Sequence, residues 1–169
     1  MVGFPEGFLR EGSRVDRFDS TALNTPCESV PILPQEFDHR GAPYPPPEDS
    51  LRVVCREFES TGSTERWHFQ LAQYTAYDQV MDDRYAMRSF LRLRSPRGNL
   101  THWSPSFEVP LRAPRAYLLT NSDPSFLVLL FANKGGLGDD YFWAQLVRLL
   151  PPDSLEVGRE YHAGGQPCD

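Results

Sequence analysis

The sequence predicts an all-β fold: a closed antiparallel barrel, a short C-terminal helix behind it and an extended proline-rich arm in front. Three observations carry this. From Leu51 onward the apolar residues recur with a period close to two, the signature of half-buried strands. Short turn-forming stretches join these runs, without the strand–helix alternation of a parallel sheet. Cys55 lies on an early run and Cys168 is the last residue but one, which suggests a sheet whose tail is tied back to its wall.

Residues 1–50 form the first unit. They hold 8 of the 16 prolines, including Pro45-Pro46-Pro47, and show no sustained period. Proline lacks a ladder donor, so an arm or a set of loops is expected here. Phe4, Phe8, Phe18, Ile32 and Phe37 are apolar enough to dock it on the rest of the chain.

Residues 51–169 form the second unit, the barrel with its helix and tail. Leu51–Phe58 is the first run. In Arg66–Tyr74, Trp67, Phe69 and Leu71 alternate with His68, Gln70 and Ala72. In Tyr85–Arg94 a strand places Met87, Leu91 and Leu93 inward and Arg88, Arg92 and Arg94 in water. Ser95-Pro-Arg-Gly98 is a turn. Phe107–Leu111 is a short strand, and its Pro110 marks an edge or bulge. Ala116–Thr120 and Ser125–Phe131 flank the turn formers Asn121–Pro124, and Asn133–Gly138 closes another hairpin. Tyr141–Leu149 is the last long strand, ended by Pro151-Pro152. Asp153 and Ser154 then suit the N-cap of a helix over Leu155–His162, which Gly158 weakens by roughly 1 kcal/mol. A meander of about seven strands removes its edges by closing, and a barrel of about eight holds one small ligand.

Composition narrows the function. The 169 residues carry a formal charge of −6, which argues against nucleic acid as the main partner. No apolar run is long enough to cross a bilayer. Three cysteines allow one disulfide and one leftover thiol in an oxidising compartment, or three thiols in a reducing one. The start, Met1-Val-Gly-Phe-Pro-Glu-Gly7, lacks the pattern of a secretory signal, while Asn99-Leu-Thr101 fits an N-glycosylation acceptor. A secreted or organelle-lumen location is the expectation. His39, His68, His102 and His162 show no zinc spacing with the cysteines. Nucleophile signatures are absent from the sequence. Gly135-Gly-Leu-Gly138 precedes a strand rather than a helix, which makes phosphate binding an unsuitable use.

At this point the chain resembles the lipocalins, in particular their apolipoprotein D-like branch. Residues 115–130, Arg-Ala-Tyr-Leu-Leu-Thr-Asn-Ser-Asp-Pro-Ser-Phe-Leu-Val-Leu-Leu, are similar to that family's paired F and G strands. Tyr141–Arg148 followed by Leu149-Leu-Pro-Pro-Asp153 resembles its last barrel strand and the start of its helix. Phe37-Asp38 and Gly41 stand where the opening motif would be, but Ala42-Pro43-Tyr44 replaces its tryptophan region, so this motif is degenerate. The resemblance implies a calycin barrel, a Cys55–Cys168 disulfide, and a small hydrophobic ligand such as a pigment, sterol or fatty acid. It implies no required cofactor. A minority of such barrels act as enzymes on apolar substrates.

The residues that would line the barrel are Trp67, Phe69, Leu71, Met87, Leu91, Phe107, Val109, Tyr117 and Leu119. The alternation that places them there is what any β core requires, so a filled interior is the competing expectation. In that case the proline-rich arm and the Arg88/Arg92/Arg94 face would fix the chain in a larger assembly with protein partners. An enzyme would need two titratable groups converging inside the cup.

Overall fold

The alternating runs do form strands. The computed structural model describes residues 14–22, 27–32, 52–61, 66–78, 82–120, 124–134 and 140–163. Within them lie β1 (Arg14–Ala22), β2 (Arg52–Thr61), β3 (His68–Asp78), β4 (Asp83–Arg94), β5 (Arg115–Thr120), β6 (Phe126–Lys134), β7 (Asp140–Leu150) and β8 (Ser154–Ala163). The chain is all-β, with no helix among the described residues. Every neighbouring pair is antiparallel, in the order β4-β3-β2-β1-β5-β6-β7-β8. Thus β1 joins two antiparallel halves, β2–β4 and β5–β8.

This order corrects the expected meander. A meander pairs each strand with the next, yet β5 pairs with β1 and not with β4. The strand between the halves comes from the region expected to be an arm. The rest of residues 1–50, apart from 27–32, lies outside the described residues.

Closure is also corrected: among the described residues, β4 and β8 do not pair. The sheet nevertheless curls. Laid flat, eight strands would separate β4 from β8 by about 34 Å at the usual strand spacing. Instead Leu91 and Leu93 of β4 share one buried cluster with Val147 of β7 and Leu155 of β8. His102 N–H, beyond β4, donates to Asp153 O in the β7–β8 turn at 3.2 Å.

The free edge of β4 shows why pairing with β8 is unnecessary. Segment 99–109 runs back along that edge without forming a strand, apart from bridges at Leu100 and Phe107. Thr101 N–H donates to Leu93 O and Thr101 Oγ1 accepts from Leu93 N–H, both at 2.9 Å. Ser104 repeats the device at Leu91, its N–H donating at 2.7 Å and its Oγ accepting at 3.0 Å. Phe107 exchanges two backbone bonds with Ser89. Two hydroxyls therefore take the acceptor role of a partner strand's carbonyls, and Pro105 sits where a ladder could not continue. The short strand expected at Phe107–Leu111 is reduced to this bridge. Phe107 and Val109 enter the core instead, each 4% exposed.

The expected helix over Leu155–His162 is strand β8. Only an extended chain points Leu155 and Val157, two residues apart, into the same core, with Glu156 outward and ion-paired to Arg148. A helix there would leave the edge of β7 unpaired. A bulge at Gln145/Val147 adjusts the register. The buried Gln145 amide donates to Leu146 O at 3.1 Å and to Gly158 O at 2.9 Å, knitting the bulge to β8. A Cβ at Gly158 would stand 3.3 Å from Leu146 O. Gly158→Val should therefore lower unfolding stability in urea by about 1–3 kcal/mol, the usual penalty of overpacking.

The disulfide is corrected as well. Cys55 is bonded to Cys27, with Cα atoms 5.5 Å apart. One sulfur makes one such bond, so the expected Cys55–Cys168 bridge is replaced; Cys168 itself lies outside the described residues. The bridge holds residues 27–32 against the outer face of β2–β4, where Tyr74 Oη donates to Pro31 O at 3.0 Å.

Candidate functional site

The face of the sheet that turns inward is packed. Phe58 and Phe69 stack with centroids 4.3 Å apart and planes 6° apart. Leu71, Leu91, Phe107 and Val109 belong to the same buried cluster, and Met87 is only 2% exposed. Phe69, Leu71, Met87, Leu91, Phe107 and Val109 were expected to line a pocket, and they are packed into the core instead. Tyr117 and Leu119 lie elsewhere. They sit on the opposite face of β5, in a second cluster with Val128, Leu146 and Tyr161. Of the expected lining residues, Trp67 borders a cleft at one end of the sheet.

The interior also carries polar side chains that the apolar pattern hid. Gln73 is fully buried on β3, its amide donating to Ser89 Oγ at 3.3 Å and to Pro110 O at 3.1 Å. These bonds tie the returning segment to the sheet. The Arg56 side chain faces the same way on β2, and burial draws its guanidinium below the usual value.

The outer face of β2–β4 is only partly the solvated arginine stripe expected. Arg94 is exposed, but Arg88 pairs with Glu108 at 3.2 Å and Arg92 lies 4.5 Å from the Trp103 ring centroid. Arg92 Nε donates to Gln70 Oε1 at 2.6 Å, and Gln70 in turn donates to Glu57, whose other oxygen is 3.3 Å from His68. Burial, with Arg94 alongside, lowers the Arg92 guanidinium, against the opposing pull of Glu28 and Glu57. Arg92 is thus engaged in the wall and does not offer a free charge to an acidic partner. Burial raises the phenol of Tyr74, which stands opposite Arg88.

One end of the curled sheet opens into a cleft of about 520 Å³. Trp67, Leu93 and Ser95, from the start of β3 and the end of β4, make one wall. Leu149, Pro151, Pro152 and Asp153, from the β7–β8 turn, make the other. The backbone of Trp67 is held by Ser60, whose N–H donates to Trp67 O and whose Oγ accepts from Trp67 N–H, each at 2.9 Å. The turn after β4 is fixed by Ser95 N–H to Asn99 O and Gly98 N–H to Ser95 O. Gly98 adopts φ 87°, a left-handed conformation that costs glycine little. Prolines in both walls and at Pro124 make the rim rigid and short of backbone donors.

Two atoms in this wall stand out. Trp67 Nε1 and Ser95 Oγ are both shielded from solvent with no hydrogen-bond partner. Leaving such a group unsatisfied costs about 1–3 kcal/mol. His68 and Arg94 are the terminal register partners of β3 and β4, and Trp67 and Ser95 are the next residue on each side. Sequence reasoning placed Trp67 in the lining, with its indole as a polar group at the mouth, but missed the cleft. Its facing wall comes from turn prolines that carry no periodic signal. Among the described residues, no group of three or more His, Cys, Asp or Glu is arranged to hold a metal ion. Comparison with protein-family models, with curated proteins and with solved structures finds no match in any of the three.

Proposed function

We propose that this protein is a non-catalytic binding protein for a small, largely apolar molecule, held in the cleft at the end of the curled sheet rather than among the strands. The lipocalin resemblance suggested a carrier. The cleft supports that reading in altered form: at about 520 Å³ it is the size of a small-molecule site, and the prolines in its walls have little backbone freedom to lose on binding. The packed interior argues against a ligand between the strands.

Native mass spectrometry of protein from its source should show a small-molecule mass that organic extraction removes. Ser154, exposed on the cleft wall, offers a block. Ser154→Trp, made in the same host, should lose most of that mass while its circular dichroism stays unchanged. Retention of the ligand by this variant would place the site elsewhere.

A second reading is a filled module of a larger assembly. The packing of Phe107 and Val109 inside the sheet favours it, since a filled core needs no ligand. A stoichiometric protein partner, with no small molecule in the same spectrum, would select it.

A further inference from the structure

Resting on the reading of the cleft as a ligand site, the geometry points to the chemical class of the occupant: an apolar carboxylate. Trp67 Nε1 and Ser95 Oγ belong to residues of the same wall, each one step beyond the His68–Arg94 pair, and both are without a partner. An indole N–H can only donate, and a hydroxyl donates as readily as it accepts. These two atoms do not bond each other, so what the wall lacks is an acceptor. A carboxylate supplies two acceptor oxygens, one for each donor. Arg97, two residues beyond Ser95, is exposed at the mouth and is the one cation among the lining residues. Asp153 is their one carboxylate and stands on the facing wall. An anionic head is therefore drawn to the Trp67–Ser95 side and repelled from the Asp153 side, which fixes one orientation. The apolar body then lies against Leu149, Pro151 and Pro152. Both atoms are shielded in this conformation, so binding turns the Trp67 and Ser95 side chains about χ1 to present the indole N–H and the hydroxyl to the ligand oxygens.

Calorimetric titration of the full chain with three naphthalene probes tests this. They are 2-naphthoate, 2-naphthylmethylammonium and 2-naphthylmethanol, with matching apolar bodies and different heads. Naphthoate should bind about tenfold more tightly than the ammonium, the usual worth of charge-assisted hydrogen bonds. Trp67→Phe and Ser95→Ala should each erase most of that preference and leave the ammonium affinity within about twofold, as expected for removal of a hydrogen bond alone. Thermal unfolding of each variant checks that it is folded. Equal binding of all three probes would overturn the carboxylate assignment and leave the cleft site standing. A naphthoate preference that survives in both variants would also overturn it. Binding of none would remove the cleft reading together with the inference.

Discussion

Replacing Phe69 by alanine is expected to destabilise the fold by about 3–5 kcal/mol, the range for deleting a fully buried phenylalanine. Phe69 is 0% exposed, and its ring stacks on Phe58, opposite it on β2. It also pairs across β4 with Leu93, itself buried. The ring thus lies on the middle strand of the β2–β4 half, between two neighbours it touches directly. The lost stacking adds about 0.5–1.5 kcal/mol to the area term. Such a loss is a large part of the 5–15 kcal/mol that holds a domain of this size. Urea unfolding followed by circular dichroism would read it as a lower midpoint at unchanged slope. Tyr117→Ala is the control. Tyr117 is half-buried on the other face, outside the main cluster, and its loss should cost clearly less. Equal losses at the two positions would mean that the inward face is not the principal core.

The contrast between these positions shows how much of the fold was legible in the sequence. Period two correctly separated Phe69, Leu71, Leu91 and Leu93 from His68, Gln70, Arg92 and Arg94, because each strand's burial is a local property. Period two says nothing about which strand lies next to which. The pairing of β1 with β5 spans about a hundred residues and leaves no local trace. The proline count of residues 1–50 also masked β1, since the strand occupies a proline-free stretch from Arg14 to Ala22.

Two further failures have definite causes. The barrel was expected because a meander with open edges invites aggregation. Thr101 and Ser104 satisfy the edge of β4 with side-chain hydroxyls, a device no periodicity reports. The helix was expected because Asp153 and Ser154 resemble a cap. The spacing of Leu155 and Val157, together with the open edge of β7, decides for a strand. The candidate site was legible only at Trp67. The opposite wall depends on how far the sheet curls, and that curl is a tertiary outcome.

The disulfide separates the two architectures most sharply in experiment. Cys27→Ser is expected to destabilise the protein by about 3–4 kcal/mol, from the entropy released by a loop of 28 residues in the chain-entropy model. The loss has a local side as well. Cys55 is 7% exposed beside Ala72 and Phe90 on the outer face of β2–β4, and the bridge is what holds residues 27–32 over that face. With the bridge cut, the contact from Tyr74 Oη to Pro31 O must hold the segment with far less help. Hydrogen exchange should then rise along β2 and β3 before it rises in β6. Cys168→Ser discriminates between the two pairings. If Cys55 is joined to Cys27, this variant breaks no bond to Cys55 and should lose far less stability than Cys27→Ser. If Cys55 were joined to the tail, Cys168→Ser would lose the larger amount and Cys27→Ser almost nothing. Peptide mapping under non-reducing conditions reads the same question directly, as a linked fragment containing Cys27 and Cys55.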